Sequence, residues 1–566
     1  MPADGGTRYA CTNLFRPRER TTVAADDDHI RAAMAAHVRR EADVRVPVVI
    51  LGGGAAGVTA ADELYNAGID FVLLEASDKL GGRLREEQFH GETIEAGAEW
   101  VHGLRTSRRG HTNSAWTLVK MAKLRGNLTS HDSAMHLWRD GSVVPASLWQ
   151  RWKRRLDRAY SACERRGLRA TDDNESTGEC LARVGYRRGR LAPADQAVAA
   201  TLEWLKVDFE ALLRPDAVAL RETVPKNYDP YRGRYDNRDF RVVDRRGYAR
   251  AVRRLAASFE RSVWLSQPAA RVEYSADGVT VTTATNKRVH AEYAVCTLPL
   301  GVLQSYLDDG HFFSPALPAD KQSGLRHMKM GHYAKVTLAF ALNFWDRPGA
   351  PTEVLVVLGG ELQGRGTALT WALNLDHPKY MPGSRMLSFH MSGELALRVQ
   401  SQPTHTTEAQ LLSELRALFP TATRHVRAIG IHVTRWSSDP LTRGSYSTWP
   451  VGFARSEWEA MRRPVGRLYF AGEHTADNFG YTHGAVDSGF DAAALIIENR
   501  ARENARLQWE HTRRSLGCLF LATLGCGAAV AMVRVVCRRS SSMPAYSTWP
   551  VWAVHQASRR PRVRVR

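Results

Sequence analysis

Apolar positions along the chain change period several times, and the changes mark out elements. The first comes at Val46. Val48-Val49-Ile50-Leu51 is a continuous apolar run of strand length, stopped by Gly52-Gly53-Gly54. Residues 55–67 carry a helical pattern, and Phe71-Val72-Leu73-Leu74-Glu75 reads as a second strand, so this stretch predicts a β-α-β unit. Residues 115–210 predict mostly helix, with amphipathic patches such as Trp116-Thr117-Leu118-Val119. Strands are expected at 271–283, 293–298 and near 333–342, a helix over 405–419, and a closing strand-turn-helix from Leu468 to Asn499. Residues 1–45 have no apolar run of the signal-peptide kind and include Asp26-Asp27-Asp28; they predict a disordered arm with a short helix near Ile30–Arg40.

Near the other end, Ser515–Val533 contains no charged residue. Arg513-Arg514 precede it and Arg534, Arg538 and Arg539 follow. As a helix it would cover roughly 28 Å of a hydrocarbon core about 30 Å thick, so it predicts a membrane-spanning helix followed by a basic tail, 534–566. A buried or interfacial helix is the alternative.

The chain has 566 residues, 44% hydrophobic and 24% charged, a globular composition that excludes wholesale disorder and a polytopic membrane protein. A formal charge of +19 would ordinarily suggest nucleic acid or anionic lipid. Its location changes that reading. Much of the excess sits in the acid-free tail after Val533 and in the Arg-rich helical stretch of residues 151–190, so no nucleic-acid partner is expected. The seven cysteines include no CxxC pair and show no spacing of a metal site, which predicts neither a disulfide framework nor bound metal, and a reducing compartment. Tyr446-Ser-Thr-Trp-Pro-Val451 recurs as Tyr546-Ser-Thr-Trp-Pro-Val551 without shared flanks, which is no solenoid period.

Chemistry enters with Gly52-x-Gly54-x-x-Gly57. The first glycine permits a tight turn, the second lets a pyrophosphate approach the backbone, and the third allows close helix–strand packing. The helix that follows, with Ala56 in its first turn, offers free N–H groups to phosphate. Glu75 ends the next strand, where a carboxylate can accept from both ribose hydroxyls. The pattern by itself serves NAD or FAD.

Further segments narrow the choice. Gly81-Gly82-Arg83 follows Glu75 closely, then Gly97-Ala98-Glu99-Trp100-Val101-His102-Gly103, and far downstream Tyr469-Phe-Ala-Gly-Glu473-His-Thr475 and Gly480-Tyr481-Thr482-His483-Gly484-Ala485. In this order they resemble the flavin-dependent amine oxidase family, its polyamine oxidase branch most closely, over roughly residues 46–500. The resemblance implies an α/β fold with discontinuous domains: a Rossmann-like FAD-binding domain from 46–121, 231–327 and 446–500, and an interleaved α+β substrate-binding domain from 122–230 and 328–445. It implies noncovalent FAD, since Ser445 stands where a cysteine carries the flavin in the monoamine oxidase branch. Cofactor contacts are expected from Gly52, Gly54, Ala56, Gly57, Glu75, Gly82, Arg83, Ala98, Glu99, Trp100, Val272, Glu473, Thr482 and Ala485.

Lys335 precedes the apolar run Val336–Leu342, where a lysine is costly unless paired or functional. By resemblance it holds a water against the flavin. Trp436, Tyr446 and Tyr481 are expected with it as catalytic residues, because aromatic faces attract an amine and exclude water. Trp100, His102 and Glu210 are expected to bind substrate. The implied reaction is oxidative cleavage of a polyamine C–N bond, with spermine, spermidine or acetylated forms as substrates and dioxygen as acceptor. The rivals are an oxidase of another amine (amino acid, monoamine or protein lysine) and a catalytically inactive flavoprotein binding module. The anchor implies a cytosolic catalytic body on a membrane, peroxisomal or of another organelle; a soluble cytoplasmic protein is the alternative.

Overall fold

A computed structural model describes residues 43–523 apart from 107–110, 130–133, 170–173, 187–190, 221–227, 230–232, 237, 347–350 and 359–368. The arm before Asp43, residues 524–533 of the expected span, the basic tail and the second copy of the Tyr-Ser-Thr-Trp-Pro-Val repeat lie outside the described residues. Among those described, no helix is long and apolar enough to cross a membrane. The expected anchor therefore gains no support.

Asp43–Leu51 (β1), Ala55–Asn66 (α1) and Phe71–Leu74 (β2) form the β-α-β unit. The two strands run parallel, Val48 opposite Phe71 and Leu51 opposite Leu74. On its other side β1 lies parallel to Arg288–Cys296. Strand neighbours on both edges, and burial of Val48, Val49, Ile50 and Leu51 to 1% exposure or less, explain the uninterrupted apolar run. The strand begins at Asp43, ahead of the expected Val46. Its first residues pair with Arg288–Ala291, and the Asp43 carboxylate takes two hydrogen bonds from Arg288, 2.8 and 3.0 Å. An apolar pattern cannot show that kind of support.

The enclosing sheet has eight strands. Val263–Trp264, β2, β1, Arg288–Cys296, Val279–Thr283, Ala269–Tyr274 and Phe313–Ser314 follow in order, and Leu468–Phe470 also pairs with Arg288–Cys296. A three-stranded sheet joins Trp100–His102 (β3) through Asp239–Val242 (β4) to Gly126–Thr129. Helices Ala146–Gly167 (α2) and Thr177–Arg183 (α3) belong to a mostly helical region around its own apolar cluster. A six-stranded sheet runs Ala428–Val433, Tyr333–Phe340 (β5), Met386–Ser392 (β6), Trp371–Asn374, Val354–Leu358 and Ala134–Trp138. The last described helix is Thr482–Thr523 (α4). The larger of two compact units, Arg16–Ala493, carries all these elements up to the first turns of α4.

Residues 115–210 are mostly helical, as expected, but not throughout, because Gly126–Thr129 and Ala134–Trp138 are strands. Their partners, β4 and Val354–Leu358, stand more than a hundred residues away, so no local period reveals them. The cysteines are not all unpaired either: Cys163 of α2 and Cys180 of α3 form a disulfide, both fully buried. Only the packing of α2 on α3 brings them together.

Candidate active site

The glycine turn is built as its spacing requires. Gly52 has φ +102°, and its N–H donates to Leu74 O at 2.8 Å. A Cβ on Gly57 would stand 1.9 Å from Gly52 O, so α1 can sit this close to β1 only with glycine there. The N-terminus of α1 has no side-chain cap and no acid in its first turn. Its amides are thus available to an anion. Buried Glu75 lies under the turn, accepting from Gly53 N at 2.6 Å and Ser77 N at 2.8 Å. Gly81 N donates to Gly53 O, and a Cβ on Gly82, at φ +59°, would come within 3.3 Å of Gly54 Cα. The result is an uncapped helix end over a glycine-lined cradle, with an acid below it, which fits the pyrophosphate and ribose of FAD.

Arg83 donates to Ser445 O at 3.0 Å and to Glu473 Oε1 at 2.8 Å. Glu473 is buried and accepts also from Ser447 Oγ at 2.5 Å and Gly480 N at 2.8 Å. Burial would raise its pKa, but Arg83 and these donors hold it below the ordinary carboxylate value. Strand, turn and helix from distant parts of the chain are thereby tied at one point. Thr482 opens α4, and Ala485 N donates to Tyr481 O at 3.1 Å. Gly489 of α4 backs onto Ala56 of α1, where a Cβ would stand 2.0 Å from Ala56 O. Val272 is fully buried in Ala269–Tyr274 with its N–H bonded to Phe312 O, 2.7 Å; Ala98 is exposed and its N–H bonds Arg83 O.

Strand register assembles a second group. Lys335 of β5 stands opposite His390 of β6, and Trp100 of β3 opposite Arg241 of β4. Lys335 Nζ lies 2.5 Å from Glu99 Oε1, 2.9 Å from Glu95 O and 2.7 Å from Gly97 O. Arg241 reaches the other oxygen of Glu99, with Nε at 2.8 Å and Nη2 at 2.7 Å. Burial opposes the charge on Glu99, yet Lys335, Arg241 and His390 together pull its pKa down to about 2. Burial pushes the Lys335 ammonium below the usual lysine range while Glu99 pulls it back up. His390 is driven down to about 3 by burial and is neutral. Glu95 is raised to about 8, again by burial, with Oε1 accepting from Tyr248 N and Oε2 without a hydrogen-bond partner among the described residues.

Aromatic rings border this group. The Trp100 ring lies 5.9 Å from Lys335 Nζ and 6.3 Å from the His102 ring; His102 in turn is 5.4 Å from the Tyr481 ring, which stacks on His483. His102 Nδ1 is 3.1 Å from Asp239 Oδ1. Tyr333 Oη is 2.7 Å from His390 Nδ1, and its ring is 6.4 Å from that of Tyr446. The Tyr446 hydroxyl donates to Glu210 O at 3.1 Å, whereas the Glu210 carboxylate is half-exposed near Lys206. Trp436 is 7% exposed, its indole N–H donates to Ala96 O at 3.2 Å, and Arg85 lies over its ring.

Lys335, Glu99, Trp100, His102 and Tyr481 are thus one run of contacts, and Tyr446 and Glu210 join it through Tyr333 and His390. Glu75 and the glycines form a separate group at the turn. Glu99, expected as a cofactor ligand, has its side chain fully engaged by Lys335 and Arg241. Sequence reasoning missed Arg241, His390, Tyr333 and Glu95. Glu95 ends the short, mostly polar strand Glu92–Glu95, so no local pattern marks it. The others depend on which strands pair. Among the described residues no cluster of His, Cys, Asp or Glu could hold a metal ion.

Residues 55–497 match a family described as flavin containing amine oxidoreductase. Polyamine oxidase 7 of Oryza sativa subsp. japonica is 32% identical over 469 residues, covering 79% of this chain and 94% of that protein. Polyamine oxidase 1 of Zea mays is 32% identical over 485 residues, covering 82% and 93%. Among solved structures, wild-type putrescine oxidase bound to putrescine superimposes with a TM-score of 0.65 over 81% of this chain and all of that one, at 20% identity, which speaks for a shared fold.

Proposed function

Because the chain belongs to the flavin containing amine oxidoreductases, polyamine oxidase branch, and is an FAD-dependent amine oxidase, we propose that it cleaves a C–N bond of polyamines such as spermine, spermidine or their acetylated forms. Dioxygen and one water are consumed, the water hydrolysing the oxidised C=N bond, and the products are an aldehyde, a shorter amine and hydrogen peroxide. The observation that carries this reading is the buried Lys335–Glu99–Arg241 group beside Trp100, within one run of contacts from His102 and Tyr481. FAD, when bound, supplies the two-electron acceptor for the amine carbon and passes those electrons to dioxygen.

The residues that would hold FAD are the glycines of the turn, the first turn of α1 with Ala56, and Glu75 toward the ribose. Gly82, Arg83, Ala98, Val272, Glu473, Thr482 and Ala485 are assigned with them. Two domains serve the reaction in this reading: FAD-binding segments 46–121, 231–327 and 446–500, and substrate-binding segments 122–230 and 328–445. Noncovalent attachment is consistent with Ser445, whose Oγ bonds the backbone of Tyr333.

This chain's residues bind and orient the amine and hold protons. Trp100, Tyr446 and Tyr481 offer ring faces to the substrate nitrogen, a cation–π contact while it is protonated, and exclude water from the carbon being oxidised. Lys335 is assigned to order a water at the reacting face, which would take the place of one of its three present acceptors, Glu95 O, Gly97 O or Glu99. Trp436 braces the wall by bonding Ala96 O. Glu210 and the Asp239 beside His102 are carboxylates that can receive a distant ammonium. The test is peroxide release on adding spermine, spermidine, N-acetylspermine or putrescine, with products weighed by mass spectrometry. Peroxide from putrescine or a simple monoamine alone would overturn the polyamine assignment.

A further inference from the structure

We propose that an arginine-walled cavity between α2 and the end of α3 binds a cluster of phosphates carried by a small molecule, at a site separate from amine oxidation. The cavity measures about 520 Å³ and is lined by Arg151, Arg154, Arg155 and Arg158 from α2, with Gly185 and Tyr186 opposite. Helical spacing puts the four guanidinium groups on one side of α2. Arg151 is neutralised by Asp195, which also takes the Trp152 indole N–H at 2.5 Å. The nearest acid in sequence, Asp157, pairs with Lys153 at 2.9 Å. No described carboxylate pairs with Arg154, Arg155 or Arg158, so among the described residues these three guanidinium groups have no counter-charge.

One wall is fixed before any ligand arrives, while Arg154 and Arg158 stand exposed beside it. Arg155 donates to Gly185 O at 3.0 Å and lies 4.8 Å over the Trp152 ring. The Tyr186 hydroxyl donates to Ala199 O at 2.9 Å, and the Cys163–Cys180 disulfide joins α2 to α3. A fixed guanidinium fork matches phosphate oxygens two at a time, and prior fixing lowers the ordering cost of binding. Three like charges in one concavity repel a polyamine, which rules the substrate out as occupant. A short concavity of this size, open to solvent on one side, suits a small oligophosphate; a nucleic acid would call for an extended groove.

The test is calorimetric titration of FAD-loaded full-length protein with sodium tripolyphosphate in about 0.15 M salt, where long-range attraction is screened. Saturable binding is expected, weakened at least about tenfold in R154A/R158A and at least about threefold in R154K/R158K, which keeps the charge but loses the fork. K153A, on the same helix, should bind as wild type, and amine-dependent peroxide release should be unchanged in all three. Absence of binding at about 1 mM, or equal binding by R154A/R158A, overturns the proposal. So does binding of RNA or of phosphoinositide vesicles through Arg154 and Arg158 without binding of tripolyphosphate. Because peroxide release is read separately, failure here leaves the amine oxidase reading standing.

Discussion

Lys335 is the residue on which catalysis should depend most and cofactor retention least. Its ammonium is satisfied by two backbone oxygens and Glu99. Lys335→Met is expected to keep FAD at full occupancy while slowing flavin reduction or reoxidation at least about tenfold, roughly 1.4 kcal/mol of barrier. Stopped-flow traces at wild-type rates in both half-reactions would remove its role. Glu99→Gln acts through Lys335. Without the carboxylate, burial is opposed less, so the lysine pKa falls further, and the limb of the pH–rate profile that it sets should move down by about one unit or more. The same change leaves Arg241 buried without its counter-charge and should cost about 3 kcal/mol or more of stability. A destabilised variant with an unmoved pH profile would make Glu99 merely structural.

Among the elements, the β-α-β unit was the most legible, since three glycines, an apolar strand on each side and a closing acid all lie within about thirty residues. Glu75→Ala should therefore weaken FAD retention at least about tenfold, with loss of a charge-assisted acceptor for the ribose hydroxyls and for Gly53 N and Ser77 N. Flavin occupancy after dialysis reads this directly. The helical region was less legible, and its cross-link was missed altogether. Cys163 and Cys180 lie 17 positions apart, a loop whose closure stabilises by about 3 kcal/mol in the chain-entropy description. Cys163→Ala with Cys180→Ala should lower denaturation stability by about that amount, with little change in turnover. Identical midpoints for the wild type, with and without reductant, would mean that the bond does not form in solution.

Across the whole molecule, buried histidines dominate the response to acid. Burial pushes His136 and His474 down to about 4 and His390 to about 3, against 6.5 in the unfolded chain. A depressed histidine stabilises the fold fully above 6.5, and that stability is lost as pH falls toward the folded value. Glu95, raised to about 8, acts in the opposite sense, destabilising the fold as pH rises from 4.5. His332 and His377 are lowered by burial in the same sense, so between about pH 6.5 and 5 the histidines outweigh Glu95 and stability is expected to fall by more than about 1 kcal/mol per pH unit. Urea midpoints at pH 6.5 and 5 measure it, and a flat profile would contradict the burial assigned to these rings.

The sequence by itself determined the dinucleotide turn, its acid, the order of the family segments and the suspicion attached to Lys335. Each is a short-range pattern in which the residue types are dictated by a turn, a helix end or a strand mouth. Tertiary structure alone decided what Lys335 touches. Glu99 and Arg241 are 142 residues apart, and Lys335 and Glu99 still further, so their meeting depends on β3 pairing with β4 and on Lys335 of the six-stranded sheet reaching the Glu95–Glu99 segment. Pairing is set by packing across the sheets, and a one-residue slip would turn Lys335 or Arg241 to the opposite face. The same holds for the two short strands hidden in the helical stretch and for the Cys163–Cys180 bond: hydrogen-bond partners and helix contacts, not local periods, put them there.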